Sequence, residues 1–357
     1  MRTPRWSLVL LLGLTFSAMA GGGVGAAAAS AAARPVPAPP SNMPRLPPAV
    51  IDDTLAIGGE DINARKVRTR MTVEVHVNGR GPYRFLVDSG ADTSVVGLRI
   101  ARQLQLPAGT PVILHGMTAS AKVNRVRLDE LSLGQSVIRH LQVPALQEED
   151  LGGEGMVGID ALVEQRLMMD FEKRVIKVED ARLPPPRMVA GEIVVTARRR
   201  RGQLILTQVR AAGLPLDAVI DTGSEITIGN IALRNRLIHG NRDKFVTVAA
   251  TGVTGVTINL QIARVGELRL GSITLRNVPI AFADVPPFAV FGLAKEPALL
   301  LGTDLLETFR RVSLDFRARK VRFQLRRCGS TGIAISTTPT VSLTRLSSND
   351  NIAVCRR

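Results

Sequence analysis

Two short stretches carry the residues best suited to chemistry. In RFLVDSGADTSVVG, Arg84 to Gly97, an apolar run ends on Asp88-Ser89-Gly90-Ala91. In DAVIDTGSEITIGN, Asp217 to Asn230, a second run ends on Asp221-Thr222-Gly223-Ser224. An ionised carboxylate at the end of a buried strand costs several kcal/mol unless hydrogen bonds or protonation compensate. A lone Asp so placed is satisfied by turn amides and is structural. Two of them can compensate each other, because carboxyl groups about 3 Å apart share one proton. One then acts as general base on a water molecule while the other acts as general acid on a carbonyl oxygen. That division of labour hydrolyses an amide without a metal or a covalent nucleophile. Ser89 and Thr222 are placed to hydrogen-bond across the axis between the copies, with Ala91 and Ser224 completing the turns. Gly90 and Gly223 let the backbone bend and bring its N–H groups to the carboxylates.

Rival chemistries lack their residues. His76, His115, His140 and His239 do not fall at the spacing of a zinc site such as H-E-x-x-H. There is no G-x-S-x-G elbow and no phosphate loop ending in Gly-Lys-Ser or Gly-Lys-Thr. Cys328 and Cys355 lie in no motif with a histidine. In an oxidising compartment they can pair, closing a tail loop worth about 3 to 4 kcal/mol by loop entropy alone. Neither a metal nor a cofactor is expected.

The elements that must position the acids occur twice. Each half opens with an alternating strand, MTVEVHVNG from Met71 or LILTQVRAAG from Leu204, then a turn and the Asp-bearing strand. Helical stretches follow at Leu98 and Ile231, then LDELSLG (Leu128 to Gly134) or VGELRLG (Val265 to Gly271). The halves close with MVGIDALVEQRLMMDFEKRVIKV from Met156 and LLGTDLLETFRRVSLDFRARKVRF from Leu300. Gly158 lies 70 residues after Asp88 and Gly302 lies 81 after Asp221, so the halves differ in loop length and share a plan. Asp160 and Asp304 are expected at helix N-caps, DLLE from Asp304 having the form of a capping box. Asp170 and Asp315, in MDF and LDF, are expected at strand starts or turns.

The 357 residues are 45% hydrophobic and only 3% aromatic, which suits two β-rich lobes with aliphatic cores. Arg2 and Arg5 precede the apolar run Trp6 to Phe16, and Ala18-Met19-Ala20 supplies a small-residue cleavage pattern. Residues 1–20 therefore read as a secretory signal, the run being shorter than the roughly 20 residues of a membrane-spanning helix. Residues 21–48, rich in Gly, Ala and Pro, form a disordered tether; 49–180 and 203–327 are the two lobes. Residues 181–202, around ARLPPPRM, are the linker, and 328–357 are a weakly patterned tail. The mature protein is then periplasmic or extracellular, without a membrane span, and a monomer. A net charge of +15 would raise nucleic acid as a partner in a cytosolic protein. Export argues against it, and Arg198 to Arg201 have no interleaved aromatic residues for base stacking, which favours an Arg-rich solvated surface.

The two acid turns, each followed by an apolar-apolar-Gly element (Met156-Val157-Gly158 and Leu300-Leu301-Gly302), resemble the aspartic proteases of the retropepsin type. More narrowly, the chain resembles exported bacterial members with both lobes in one polypeptide. The resemblance spans roughly Val67 to Leu325. It implies an all-β fold of two homologous β-barrel lobes in pseudo-twofold arrangement, with short helices. It implies an endopeptidase acting on a protein or peptide at acidic to neutral pH, with Asp88 and Asp221 as its catalytic pair. It also implies a β-hairpin flap from each lobe, at His115-Gly116-Met117-Thr118 and Thr251-Gly252-Val253-Thr254-Gly255. The viral pattern has an Arg after the downstream Gly, paired with the acid beyond the catalytic turn; here those positions are Ile159 and Thr303. Asp92 and Glu225 lack that partner, and either brace the lobe interface or face substrate or solvent. The alternatives are a peptide-binding module that keeps the bilobal groove without catalysis, and lobes paired between chains.

Overall fold

The computed structural model describes residues 70–134, 136–184, 192–237, 245–254 and 256–326, with short strands at 7–9, 15–17, 60–67 and 334–337. Alternation sets the first strand pair. Arg70–Val77 buries Val73, Val75 and Val77. Asn78 and Gly79, with φ of 49° and 72°, form the turn into Arg80–Val87 that matches the twist of paired strands. Thr72 then stands opposite Leu86. The strand Gly155–Val157 lies parallel to Phe85–Val87 on one side and antiparallel to Val95 and Val96 on the other. A long hairpin, Arg125–Leu133 with Ser136–Leu146, closes this lobe.

The second half repeats the plan. Gln203–Ala211 turns at Ala212-Gly213 into Leu214–Ile220. Ala298–Leu301 runs parallel to Asp217–Ile220 and antiparallel to Ile228–Gly229, and the hairpin Thr257–Leu270 with Ile273–Phe282 closes the lobe. Val, Leu, Ile and Phe fill both interiors.

The lobes join in a six-stranded antiparallel sheet in the order Glu60–Val67, Val175–Asp180, Gln165–Asp170, Phe309–Asp315, Lys320–Leu325, Glu192–Arg200. Three strands come from each half, so the pseudo-twofold axis passes between Gln165–Asp170 and Phe309–Asp315. Across that seam Arg166 stands opposite Asp315 and Asp170 opposite Arg311. Their buried side chains form reciprocal ion pairs, Arg166 Nε to Asp315 Oδ2 at 3.0 Å and Arg311 Nε to Asp170 Oδ2 at 2.5 Å. Arg166 also pairs with Glu179. Asp170 and Asp315 were expected at strand starts or turns; each instead ends its strand and accepts N–H donors from the turn that follows. Their second role, across the seam, is marked by no local motif.

Residues 192–202, placed in the linker by sequence, belong instead to a strand and the Arg201-Gly202 turn. Val195 and Ala197 are buried while Arg198, Arg199 and Arg200 are exposed, so the arginines edge a strand with an apolar inner face. The Pro-rich break at 185–191, most of the expected signal, the whole tether and most of the tail lie outside the described residues, as do Cys328, Cys355, His239 and Gly255. Among the described residues no helix is long and apolar enough to cross a membrane.

Candidate active site

Each acid is delivered by a fully buried strand end. The N–H of Asp88 donates to Val157 O at 3.0 Å and that of Asp221 to Leu301 O at 3.0 Å, so the neighbouring parallel strand holds each residue in place. The N–H groups of Gly90 and Ala91 then donate to Asp88 Oδ1 at 2.8 and 3.0 Å. Gly223 and Ser224 do the same for Asp221 Oδ1, both at 3.0 Å. Glycine is required at 223 because a Cβ there would collide with the Asp88 carboxyl group. That close approach also places the two turns, from opposite lobes, in direct contact.

The hydroxyl residues bind the turns together. The Ser89 hydroxyl donates to Ile220 O at 3.0 Å and accepts from Thr222 N–H at 3.2 Å. The Thr222 hydroxyl donates to Val87 O at 2.8 Å and accepts from Ser89 N–H at 2.9 Å. These reciprocal bonds leave the two carboxyl groups within hydrogen-bonding reach of each other, both with no exposed surface. Burial pushes both acids well above the usual carboxylate range. The amides of Gly90 and Ala91, and then Arg70, oppose that rise at Asp88; the neighbouring Asp88 adds to it at Asp221. Burial and mutual proximity therefore favour a shared proton, and the pair titrates as one unit.

The paired glycines downstream have a steric reason. A Cβ at Gly158 would strike the Thr93 carbonyl, and one at Gly302 would strike that of Ile226. Their N–H groups donate to Ser94 Oγ at 3.0 Å and Thr227 Oγ1 at 3.1 Å. Those hydroxyls donate in turn to Asp160 Oδ1 at 2.7 Å and Asp304 Oδ1 at 2.8 Å. Asp160 and Asp304 are thus not the N-caps expected from the pattern; Gly158 and Gly302 occupy those positions without side-chain caps. Both acids instead brace the loop beyond each acid-bearing turn. Each keeps an edge at the surface, yet enough protein surrounds its carboxyl group that burial raises its pKa, for Asp304 to about 6.

Glu225 does brace the lobe interface, and its partner comes from an unexpected place. Arg70, at the start of the first lobe's first strand, lies 3.3 Å from it through Nε and donates from Nη1 to Leu151 O at 3.2 Å. No local motif marks Arg70. Asp92 is half-buried.

Both flap candidates are β-hairpins: Val112–His115 with Ser120–Val123, and Val246–Thr251 with Thr257–Leu270. Gly116 N–H donates to Ala119 O at 2.9 Å and Gly252 N–H to Val256 O at 3.1 Å, closing the turns. The tips meet, with Thr118 Oγ1 3.3 Å from Thr254 Oγ1 and Gly252 against the Thr118 side chain. They also cross over. Met117 of the first hairpin is buried in an apolar cluster of the second lobe with Val219, Ile226, Ile228 and Leu300. Val253 of the second is buried with Leu86, Val95 and Met156 of the first. His115 stands at the hairpin shoulder, its Nδ1 2.7 Å from Ser120 Oγ, and partial burial and then Arg201 lower its pKa. Among the described residues no cluster of His, Cys, Asp or Glu is placed to hold a metal ion.

A family model described as aspartyl protease matches residues 73–161 and 207–305, more than half of the chain and once in each lobe. A search of curated proteins finds no match. With one copy of the matched unit on either side of the pseudo-twofold axis, the chain belongs to the aspartyl protease family, in its retropepsin-like form.

Proposed function

We propose that the protein is an aspartic endopeptidase that cleaves an extended segment of a protein or peptide through water activated by Asp88 and Asp221. The observation that carries this reading is the reciprocal grip of Ser89 and Thr222, which holds two buried carboxyl groups from different lobes together. A pair sharing one proton has a base and an acid ready at once, so each proton leaving water has a destination and the carbonyl oxygen has a donor. Attack of water forms a tetrahedral diol. Its collapse breaks the C–N bond as the amine takes a proton, and the pair returns to its singly protonated form.

In the closed form described, the tips of both hairpins reach the strands that carry the acids. Substrate entry therefore requires the hairpins to lift, and closure over the peptide excludes water. Export to the periplasm or the extracellular space, and action as a single chain, belong to the same proposal; their supports are the N-terminal pattern and the seam completed within one polypeptide.

The test is to incubate the protein and its Asp88→Asn and Asp221→Asn variants with a peptide library and read the products by mass spectrometry. Cleavage by the parent and loss of at least about a thousandfold in each variant is expected. Full activity in either variant rules out the shared-water mechanism. A parent that binds peptides and leaves them intact is a binding module on the same frame.

A further inference from the structure

The two lobes match closely at the acids and differ at one position beside each. Continuing the register of Thr72 opposite Leu86 by two residues brings Arg70 opposite Asp88. The same step from Ile205 opposite Val219 brings Gln203 opposite Asp221. Both side chains are buried and both cross the lobe boundary. Arg70 reaches Glu225 in the second lobe, and Gln203 Nε2 donates to Gly90 O in the first at 3.3 Å. One acid therefore has a permanent cation beside it, and its counterpart has a neutral amide.

The geometry points to Arg70 as a positioning residue that breaks the symmetry of the pair, holding Asp88 as the ionised general base and leaving Asp221 as the protonated general acid. This rests on the catalytic reading above. An opposite charge close to a carboxyl group favours its ionised form, and a guanidinium does so at every accessible pH. Arg70 lowers the pKa of Asp88, whereas at Asp221 burial and then the neighbouring Asp88 raise it. Among the described residues, the charged groups beside the two acids include Arg70, its partner Glu225, and Asp92 on the first turn. The hairpin tips bring Met117, Thr118, Val253 and Thr254, all uncharged, with His115 at the shoulder tied to Ser120. Asp160 and Asp304 are held by the hydroxyls of the loops behind. A homodimeric ancestor with identical halves has no fixed choice of base; a single chain with Arg70 on one side and Gln203 on the other does. Glu225 anchors the cation from the far lobe, so the bias exists only when the lobes are joined.

The experiment measures the pH dependence of kcat/KM for the full-length protein, Arg70→Gln and Glu225→Gln. Without the cation, Asp88 ionises less readily, so Arg70→Gln moves the acid limb up by about one pH unit. Glu225→Gln removes an anion from beside the cation and moves that limb down. If neither limb moves while both variants unfold at lower denaturant concentration, Arg70 is only a brace between lobes and the proposal falls. If Arg70→Gln does not fold, Glu225→Gln decides alone, and a limb that stays or rises overturns it. Should the parent cleave no peptide, the catalytic reading fails separately. The pair is then followed without turnover, by 13C NMR titration of aspartate-labelled protein, with the same shifts expected and their absence equally decisive.

Discussion

Ser89 and Thr222 each serve two backbone groups across the lobe boundary, so their hydroxyls cannot be removed without orphaning buried partners. Ser89→Ala leaves Ile220 O and Thr222 N–H unsatisfied, and Thr222→Ala leaves Val87 O and Ser89 N–H. Each loss costs about 1 to 3 kcal/mol, whereas Thr222→Ser keeps both bonds and stays close to the parent. Urea unfolding midpoints check the order, and equal midpoints for Ser89→Ala and the parent would remove the grip from the account. These residues were legible because they adjoin the acids in a repeated motif. Arg70 was not, because it reaches the site through strand register across the Asn78-Gly79 turn and through a partner more than 150 positions along the chain. Asp304 was misread for the opposite reason. Its local DLLE pattern fits a capping box, but the Thr227 hydroxyl claims the carboxylate. A hydroxyl six residues after each acid, Ser94 and Thr227, was the available clue.

Hairpins at the two glycine turns were expected from the family resemblance, and a hairpin stands at each. Their exchange of tips was not readable, since Met117 and Val253 look alike in sequence whether they cover their own lobe or the other. Burying each tip in the opposite lobe ties closure of one hairpin to closure of the other, because lifting either exposes apolar surface on both sides of the axis. The contact of Thr118 with Thr254 offers a lock. A double variant, Thr118→Cys with Thr254→Cys, is expected to form a disulfide under mild oxidation that holds the tips together. Peptide cleavage should fall at least about tenfold when oxidised and return on adding a reductant, with each single variant insensitive to redox state. Undiminished activity in the crosslinked protein, with the bond verified by mass spectrometry, would show that substrate enters without the tips parting.

The whole chain behaves as a duplicated unit whose symmetry is kept where it holds the halves together. At the seam, Arg166 with Asp315 and Arg311 with Asp170 exchange roles about the axis. Removing one member of such a buried pair strands its partner's charge inside the sheet, so a single substitution at the seam is costly. Beside the acids the symmetry is given up. A further consequence of folding so many carboxyl groups inward is that stability depends on pH in the direction opposite to that of ordinary surface acids. Asp88, Asp221, Asp160 and Asp304 all hold protons more tightly when folded. Such groups favour the fold fully below the unfolded carboxylate pKa near 4, and the advantage is lost as pH rises through the folded value. Asp180, lowered to about 2 chiefly by hydrogen bonds from Arg182, works the other way, and only at more acidic pH. Net charge also grows more positive on acidification, which opposes the effect, so one position must be isolated. Asp304→Asn does this. The amide oxygen can still accept from Thr227 and from Leu305 N–H, which lies 2.7 Å away in the parent, but it cannot titrate. With Asp304 at about 6, the parent should lose roughly 2 to 3 kcal/mol relative to this variant between pH 4 and pH 8. Denaturant unfolding of both proteins at those two values reads the difference directly. A gap that does not change with pH would mean that Asp304 stays ionised inside the fold, supported by its hydroxyl and amide donors against the cost of burial.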